Sequence, residues 1–174
     1  MKEIDRLLEG NKKYIKSKNT IGDISTERRL KTSNGQSPFA VVVTCSDSRV
    51  IPEAIFNVGI GDIFVIRLAG NVIGDYELAS IEYACSHLGA KLVMIMGHTG
   101  CGAIHSAIIR HAGGYVDQLL KPILAAIGEE KDEIEASKLN AIYGANVVKN
   151  KLDLKDVEIV SSIYDINTGL VTLL

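Results

Sequence analysis

Cysteine is scarce in this chain, and long apolar runs are missing. The 174 residues include three cysteines, which cannot pair into a complete set of intrachain disulfides, and a domain of this length needs none. We therefore expect a reducing, cytoplasmic setting. No apolar run approaches the roughly 18 residues of a membrane-spanning helix, and the charged first residues lack the apolar stretch of a signal peptide. These absences predict a soluble, unprocessed protein with no membrane partner.

An excess of either charge is missing as well. The 19 basic and 21 acidic residues give a formal net charge of −2. They form no basic stripe of the kind that binds phosphate backbones, so we expect no nucleic-acid partner. Apolar residues make up 47% and charged residues 23% of the chain, which is typical of a folded globular protein and excludes disordered and fibrous classes. The length predicts a single domain over residues 1–174.

The spacing of apolar residues alternates between helical and strand-like patterns. An amphipathic helix is predicted at 3–17, followed by a long polar connection at 18–38. The predicted strands are 39–44, 62–67, 91–96 and 157–163 with an edge segment at 170–173, and the later helices lie near Pro52 and at 75–89, 102–110, 116–127 and 131–149. This order predicts an α/β fold with a mostly parallel central sheet flanked by helices.

Two loops that follow apolar strands carry the most specific chemistry. Cys45 follows the first strand, and the pair His98 and Cys101 follows the third. Because ligands of parallel α/β sheets collect beyond the carboxyl ends of the strands, we expect these three side chains to converge. Zinc prefers thiolate and imidazole, and three protein ligands with an open fourth position are typical of a catalytic site. The sequence therefore predicts one zinc ion per chain.

An acidic and a basic residue flank the first of these cysteines. Asp47 and Arg49 are two residues apart in the loop, where a guanidinium fork can hold a carboxylate ionised and fixed in direction. Asp47 could accept the proton of a zinc-bound hydroxide, or it could itself ligate zinc and close the site. The sequence leaves both roles open.

Other interpretations of the same loops are weaker. The segment 97–102 follows a strand and opens a helix, but its glycines are in the wrong order for a dinucleotide site and the P-loop lysine is missing. A thiol phosphatase with Cys45 as nucleophile and Arg49 as phosphate ligand does not account for His98 and Cys101 together. A zinc-binding protein without catalytic activity is the alternative outside enzymes.

The remaining thiol and imidazoles are expected to do less. Cys85 shares an apolar helix stripe and is predicted to be a core thiol. His105, four residues beyond Cys101, is the best rival zinc ligand. His87 and His111 are predicted to be surface residues that could help to shuttle protons, since imidazole titrates near neutrality.

Several segments together closely resemble the β-class carbonic anhydrases, in their compact branch. They are 40–50, 61–71, 81–84, 97–102 and 164–169, so the likeness covers nearly the whole chain. The resemblance implies reversible hydration of carbon dioxide to bicarbonate by attack of zinc hydroxide. It also implies that Cys45, His98 and Cys101 are the zinc ligands and that Asp47 and Arg49 are the catalytic dyad.

The resemblance further implies a pocket shared between subunits. Gln36 matches the substrate-contacting glutamine of the family, and Phe64 and Tyr83 match aromatic positions that line the carbon dioxide pocket. In the family these residues come from the neighbouring subunit, which implies a homodimer or a larger homo-oligomer. Independently, Tyr83 lies on a second stripe of its helix, together with Tyr76, Ser80 and His87, and that stripe could face a partner.

Two departures from the family concern regulation and substrate. The chain has no tryptophan, and Val42 stands where some members have the tryptophan of an inhibitory bicarbonate pocket, so that regulation is not expected. Ala69 replaces a larger apolar residue and could widen the substrate pocket. Hydrolysis of carbonyl sulfide or carbon disulfide therefore remains the alternative activity.

Overall fold

Five strands form a sheet at the centre of the protein, in a computed structural model that describes residues 2–16, 21–111 and 113–174. The strands are β1 (Ala40–Thr44), β2 (Ile63–Arg67), β3 (Leu92–His98), β4 (Glu158–Tyr164) and β5 (Val171–Leu173), in the order β2-β1-β3-β4-β5. The first four are parallel, and β5 runs antiparallel to β4. The predicted α/β fold with a mostly parallel sheet is confirmed.

Helices cover both faces of this sheet. They are α1 (Glu3–Lys16), α2 (Thr26–Lys31), α3 (Pro52–Ile55), α4 (Asp75–Ser86), α5 (Gly102–Ile108), α6 (Val116–Ile127) and α7 (Glu133–Lys151), with a 3-10 turn at Ala69–Asn71. Because side chains alternate along a strand, Val42 packs with α1 on one face while Val41 and Val43 pack with α4 and α7 on the other. Both faces of β1 are therefore buried and apolar, as in other parallel sheets.

The first helix is fastened to the far end of the chain. Asn11, which is 1% exposed, donates from its Nδ2 to the carbonyls of Ile55 and Gly169 and accepts from the backbone N–H of Val171. A buried amide with all these partners satisfied stabilises the contact between α1 and β5. The predicted helix 3–17 is confirmed as far as Lys16; its last residue lies outside the described residues.

The predicted connection at 18–38 is wrong in one respect, because it contains α2. This helix has six residues and buries none of them, so it carries no apolar stripe that a sequence pattern could reveal. Ser25 caps it by accepting the N–H of Arg28, and Arg28 fastens it by donating to Ile60 O at 2.8 Å and to Asp62 Oδ1 at 3.0 Å. Residues 18–20 of the predicted connection lie outside the described part of the chain.

The other boundaries shift by a few residues. The helices predicted at 75–89 and 102–110 end earlier, at Ser86 and Ile108, and the helix predicted at 131–149 covers Glu133–Lys151. Strand β3 extends two residues beyond the predicted 91–96, so that His98 pairs in register with Tyr164. His98 is therefore the last residue of a buried strand and not a loop residue. Across the described ranges, no helix is both long enough and apolar enough to cross a membrane.

The longest helix lies very close to β3. A Cβ added at Gly97 would come within 3.0 Å of Ser137 O, and one at Gly144 within 3.1 Å of Ile95 Cγ2. The buried face of α7 consists of small residues and one longer aliphatic one, namely Ala136, Ser137, Asn140, Ala141, Gly144, Ala145 and Val148. Small side chains let the helix axis approach the sheet, so that short polar groups of α7 can reach the carboxyl ends of the strands.

Candidate metal centre

The sheet brings Cys45, His98 and Cys101, here called the metal triad, to one point. Cys45 directly follows β1, His98 ends β3, and Cys101 precedes α5. Their ligand atoms all lie within 4.8 Å of one another, and the two sulfurs are 4.0 Å apart. All three residues are at most 5% exposed. The predicted convergence is confirmed, and its cause is the parallel pairing of β1 with β3.

The donor atoms of the metal triad fit a metal ion. The ring Nδ1 of His98 lies 3.0 Å from the carbonyl oxygen of Thr99, which can only accept, so Nδ1 carries the proton. The other nitrogen, Nε2, is buried and has no hydrogen-bond partner among the described residues. A buried imidazole lone pair without a partner is costly unless a ligand covers it. Two thiols beside this nitrogen make the soft donor set that zinc prefers.

The two thiols differ in their readiness to ionise. A hydrogen bond from Cys101 lowers the pKa of Cys45, although burial opposes the shift, and the N–H of Gly70 also favours the thiolate. The same hydrogen bond to Cys45, together with burial, raises the pKa of Cys101. The contact between the two sulfurs thus favours Cys45 as the thiolate of the pair. A thiol must be deprotonated to bind a metal, so Cys45 is the ligand closer to its binding form.

Asp47 and Arg49 form a two-pronged ion pair beside the triad. The guanidinium Nε of Arg49 donates to Oδ1 at 2.9 Å and its Nη2 to Oδ2 at 2.7 Å, and the backbone N–H of Arg49 also donates to Oδ1. The hydrogen bond from Arg49, with burial opposing, holds the pKa of Asp47 well below its usual range. Arg49 Nη2 also donates to Gly100 O at 3.1 Å. The dyad thus ties the loop after β1 to the loop after β3.

Asp47 lies beside the metal triad with both of its carboxylate oxygens engaged. Its Oδ2 lies 3.9 Å from His98 Nε2, and both carboxylate oxygens are held by Arg49. Asp47 does not belong to the group of ligand atoms that converge within 4.8 Å. A carboxylate that is ionised and fixed by a guanidinium is suited to accept a proton donor beside the metal. The hold of Arg49 on both oxygens is the observation that suits Asp47 to the orienting role.

Three contacts of the loop after β1 were not predicted. Arg67, the last residue of β2, donates to Cys45 O at 3.3 Å and to Asp47 O at 2.8 Å. The N–H of Gly70 donates to Cys45 Sγ at 3.3 Å. The position of Arg67 at a strand's carboxyl end was a signal that could have identified it. The contact of Gly70 is made by backbone, so no side-chain pattern indicates it.

The residues expected around the substrate have different positions. Phe64 on β2 and Tyr83 on α4 are in aromatic contact, with ring centroids 6.4 Å apart, and Tyr83 is also 5.5 Å from the ring of His87. Tyr83 is 49% exposed. Ala69 precedes Gly70 in the 3-10 turn, and Gln36 is exposed ahead of β1. No hydrogen bond joins Gln36 or Tyr83 to the triad within the described residues, so the substrate roles stay predictions.

The residues expected to do less are clear of the triad. His105 is half-exposed, and its Nδ1 pairs with Glu133 Oε1 at 2.7 Å, so it is not a fourth member of the converging ligand group. Cys85 is half-buried against the core of α4, and burial raises the pKa of its thiol, in agreement with the prediction of a core thiol. His87 and His111 are exposed, as predicted.

Comparisons with known proteins agree on one family. A family model described as carbonic anhydrase matches residues 40–171. Carbonic anhydrase 2 of Mycobacterium tuberculosis is 37% identical over 126 residues, which are 70% of this chain and 61% of that relative. The chain thus matches only about three fifths of the relative's length.

Two solved structures share the fold at similar identity. The β-carbonic anhydrase CafA of Aspergillus fumigatus superposes with a TM-score of 0.76 at 29% identity, over 85% of this chain and 80% of that one. One of the tetrameric β-carbonic anhydrases of Sordaria macrospora gives a TM-score of 0.73 at 30% identity, over 83% of this chain and 84% of that one.

Proposed function

This chain belongs to the β-class carbonic anhydrases, and on that premise we propose that it catalyses the reversible hydration of carbon dioxide to bicarbonate. The observation that carries the proposal is the buried metal triad, in which His98 Nε2 has no partner in the described part of the chain, beside an ionised Asp47 held by Arg49. A purely structural zinc site has four protein ligands and no need of an oriented carboxylate. Three ligands and a fixed acceptor are what a hydration site needs.

The proposed mechanism divides the work between the metal and the chain. Cys45, His98 and Cys101 would hold the zinc ion, which would supply hydroxide near neutral pH, because zinc lowers the pKa of a bound water from about 15.7 to about 7. Asp47 is ionised at that pH and can only accept, so its Oδ2 would accept a hydrogen bond from the nucleophile and fix its direction. Arg49 keeps Asp47 in that direction.

Thr99 fixes the third ligand in this mechanism. Its carbonyl oxygen accepts the Nδ1 proton of His98, which sets the tautomer and the direction of Nε2. Thr99 is in turn held by β4, because its N–H donates to Tyr164 O and its hydroxyl accepts the N–H of Ile166. The imidazole therefore has little freedom to turn away from the two sulfurs.

The substrate pocket is proposed to be completed by a second copy of the chain. Gln36, Phe64 and Tyr83 would contact substrate from the partner subunit, and Ala69 would border the pocket beside Cys45. The half-exposed ring of Tyr83 and its contact with Phe64 support an apolar surface that a partner can cover. We propose a homodimer or a larger homo-oligomer, working in the cytoplasm.

Hydrolysis of carbonyl sulfide or carbon disulfide is not favoured. The curated relative and both solved structures compared above are carbonic anhydrases. A catalytically inert zinc protein is not favoured either, because such a protein has no role for the ion pair of Asp47 and Arg49. A phosphatase would need Arg49 free for phosphate, whereas its guanidinium is engaged by Asp47 on two sides.

The test is stopped-flow kinetics on protein whose zinc content has been measured. Carbon dioxide hydration should be the main activity and should rise with pH through about 7. The matched assay is hydrolysis of carbonyl sulfide by the same preparation. A far higher specificity constant for carbonyl sulfide would overturn the substrate, and zinc-loaded protein inactive on both molecules would overturn the enzymatic function.

A further inference from the structure

A buried amide on α7 reaches across the molecule to the 3-10 turn. Asn140 is 4% exposed, and its Nδ2 donates to Gly70 O at 2.8 Å, a contact between residues 70 positions apart in sequence. The close packing of α7 on β3 at Gly97 and Gly144 makes this reach possible for a side chain as short as asparagine. Burying an amide is unfavourable without a partner, so the contact is a fixed part of the fold.

The turn that receives this hydrogen bond strongly favours glycine at position 70. Gly70 has a φ of 69°, in the left-handed region, and a Cβ there would come within 2.8 Å of Ile123 Cδ1 and 3.1 Å of Ala103 Cβ. The peptide group between Gly70 and Asn71 is held at both ends. Its oxygen accepts from Asn140, and its N–H donates to Leu68 O at 2.9 Å.

The backbone N–H of Gly70, which belongs to the preceding peptide group, faces the metal triad. Its N–H donates to Cys45 Sγ at 3.3 Å, in a buried contact. Glycine rotates easily about its own φ and ψ, so this N–H keeps its direction only if the peptide beyond it is held in place. The groups that hold that peptide are Asn140 and Leu68 O. The direction of a hydrogen bond to the first zinc ligand thus depends on a side chain that does not touch the ligand.

We propose that Asn140 is a positioning residue for the zinc thiolate: by fixing Gly70 it aims the Gly70 N–H at Cys45 Sγ and so sets how strongly that sulfur holds the metal. The inference rests on the proposed metal site. An N–H donated to a thiolate stabilises the sulfur lone pairs and holds the sulfur in place, in the way that outer partners orient other metal ligands. Loss of such a partner typically costs about 10- to 100-fold in metal affinity or activity.

The variant that tests the proposal is Asn140→Leu, which keeps the size of the side chain and removes the donor. Its matched control is Ser137→Ala. Ser137 is 1% exposed on the same face of α7, and among the described residues its hydroxyl bonds within the helix alone, to Glu133 O. Asn140→Leu loses a buried hydrogen bond and Ser137→Ala a part-buried one, so both lose some stability, but only Asn140→Leu releases Gly70.

Two readouts separate positioning from stability. Zinc affinity, measured by competition with a chromophoric chelator, should fall about tenfold or more in Asn140→Leu and stay within about twofold of wild type in Ser137→Ala. In cobalt-substituted protein, the sulfur-to-cobalt charge-transfer band should move to longer wavelength in Asn140→Leu alone, because the sulfur lone pairs lose their hydrogen bond. Equal affinity and an unmoved band in Asn140→Leu would overturn the proposal.

A measurement on the wild type keeps the proposal testable if Asn140→Leu does not fold. In protein loaded with cadmium-113, the hydrogen bond should transmit a scalar coupling from the metal through Cys45 Sγ to the amide proton of Gly70, and its absence would overturn the proposal. None of these three measurements uses turnover. Wild type that binds zinc without hydrating carbon dioxide would therefore refute the proposed function and leave this inference standing.

Discussion

The metal triad and the residues proposed to contact substrate lie in two unlike parts of the molecule. The triad is at most 5% exposed, comes from the central strands β1 and β3 and the start of α5, and is complete within one chain. The substrate residues lie on the edge strand β2, on α4, in the 3-10 turn and in the exposed segment before β1, and Tyr83 is 49% exposed. Metal binding should therefore depend on the fold of one chain, and turnover on its assembly.

The largest effect should come from removing a ligand. Cys45→Ala, His98→Ala or Cys101→Ala should remove most bound zinc and abolish hydration, because two remaining ligands cannot replace the missing donor. Zinc per chain by atomic spectroscopy and hydration by stopped flow check this prediction. Cys85→Ala is the matched control, because this thiol packs against the core beneath α4 and away from the metal triad. The Cys85→Ala variant should keep its zinc. Stoichiometric zinc in a Cys45→Ala, His98→Ala double variant would contradict the assignment.

A second prediction separates metal binding from chemistry inside the buried site. Asp47→Ala and Arg49→Ala should each keep one zinc per chain, since both side chains are proposed to orient and not to ligate. Hydration should fall about 10²- to 10⁴-fold, the usual contribution of a positioned acid or base. Zinc content and kcat, measured on the same sample, check this prediction. Activity within about twofold of wild type in both variants would remove the dyad from the mechanism.

The third prediction tests the outer residues and the assembly together. Tyr83→Arg should place a charge on the surface proposed to meet the partner, giving a monomer that keeps its zinc and loses at least about tenfold in hydration. Tyr115→Arg is the control, because Tyr115 is 95% exposed at the start of α6, away from α4. Light scattering at the assay concentration gives the oligomeric state. A fully active wild-type monomer would show that the pocket is not shared.

The smallest effect is expected at Arg28, the residue that fastens α2 to the loop before β2. Arg28→Met removes the hydrogen bonds to Ile60 O and Asp62, and so loosens the helix that leads to Gln36. We expect a loss of about 1 kcal/mol in the free energy of unfolding, typical of a part-buried charged hydrogen bond. Hydration should fall a few-fold, and zinc content should not change. Urea unfolding of Arg28→Met beside Arg29→Met, an exposed residue of the same helix, checks this prediction.

The buried half of this comparison was the half that sequence could predict. Apolar runs such as 40–44 indicate strands buried on both faces. Because the carboxyl ends of parallel strands lie at one edge of the sheet, Cys45, His98 and Cys101 were expected to converge. Helix α2 escaped prediction because it buries no residue and shows no apolar stripe. Boundaries shifted where capping and pairing decide them, as at His98.

The contacts made by backbone could not be predicted from residue types. Gly70 donates its backbone N–H to Cys45 Sγ, and Asn140 donates its side-chain amide to the backbone carbonyl of Gly70, far away in sequence, so neither contact leaves a motif. The roles of Gln36, Phe64, Ala69 and Tyr83 come from the family resemblance alone. Physical reasoning places Tyr83 on an outward stripe of α4, but it does not say what lies opposite.

The central claim is that hydration depends on one zinc ion held by the triad, and titration of metal-free protein with zinc tests it most directly. Hydration should rise linearly with added zinc and stop at one zinc per chain. Asp47→Ala should bind the same amount and stay almost inactive. Hydration by metal-free protein, or an unchanged titration in the Cys45→Ala, His98→Ala double variant, would contradict the account.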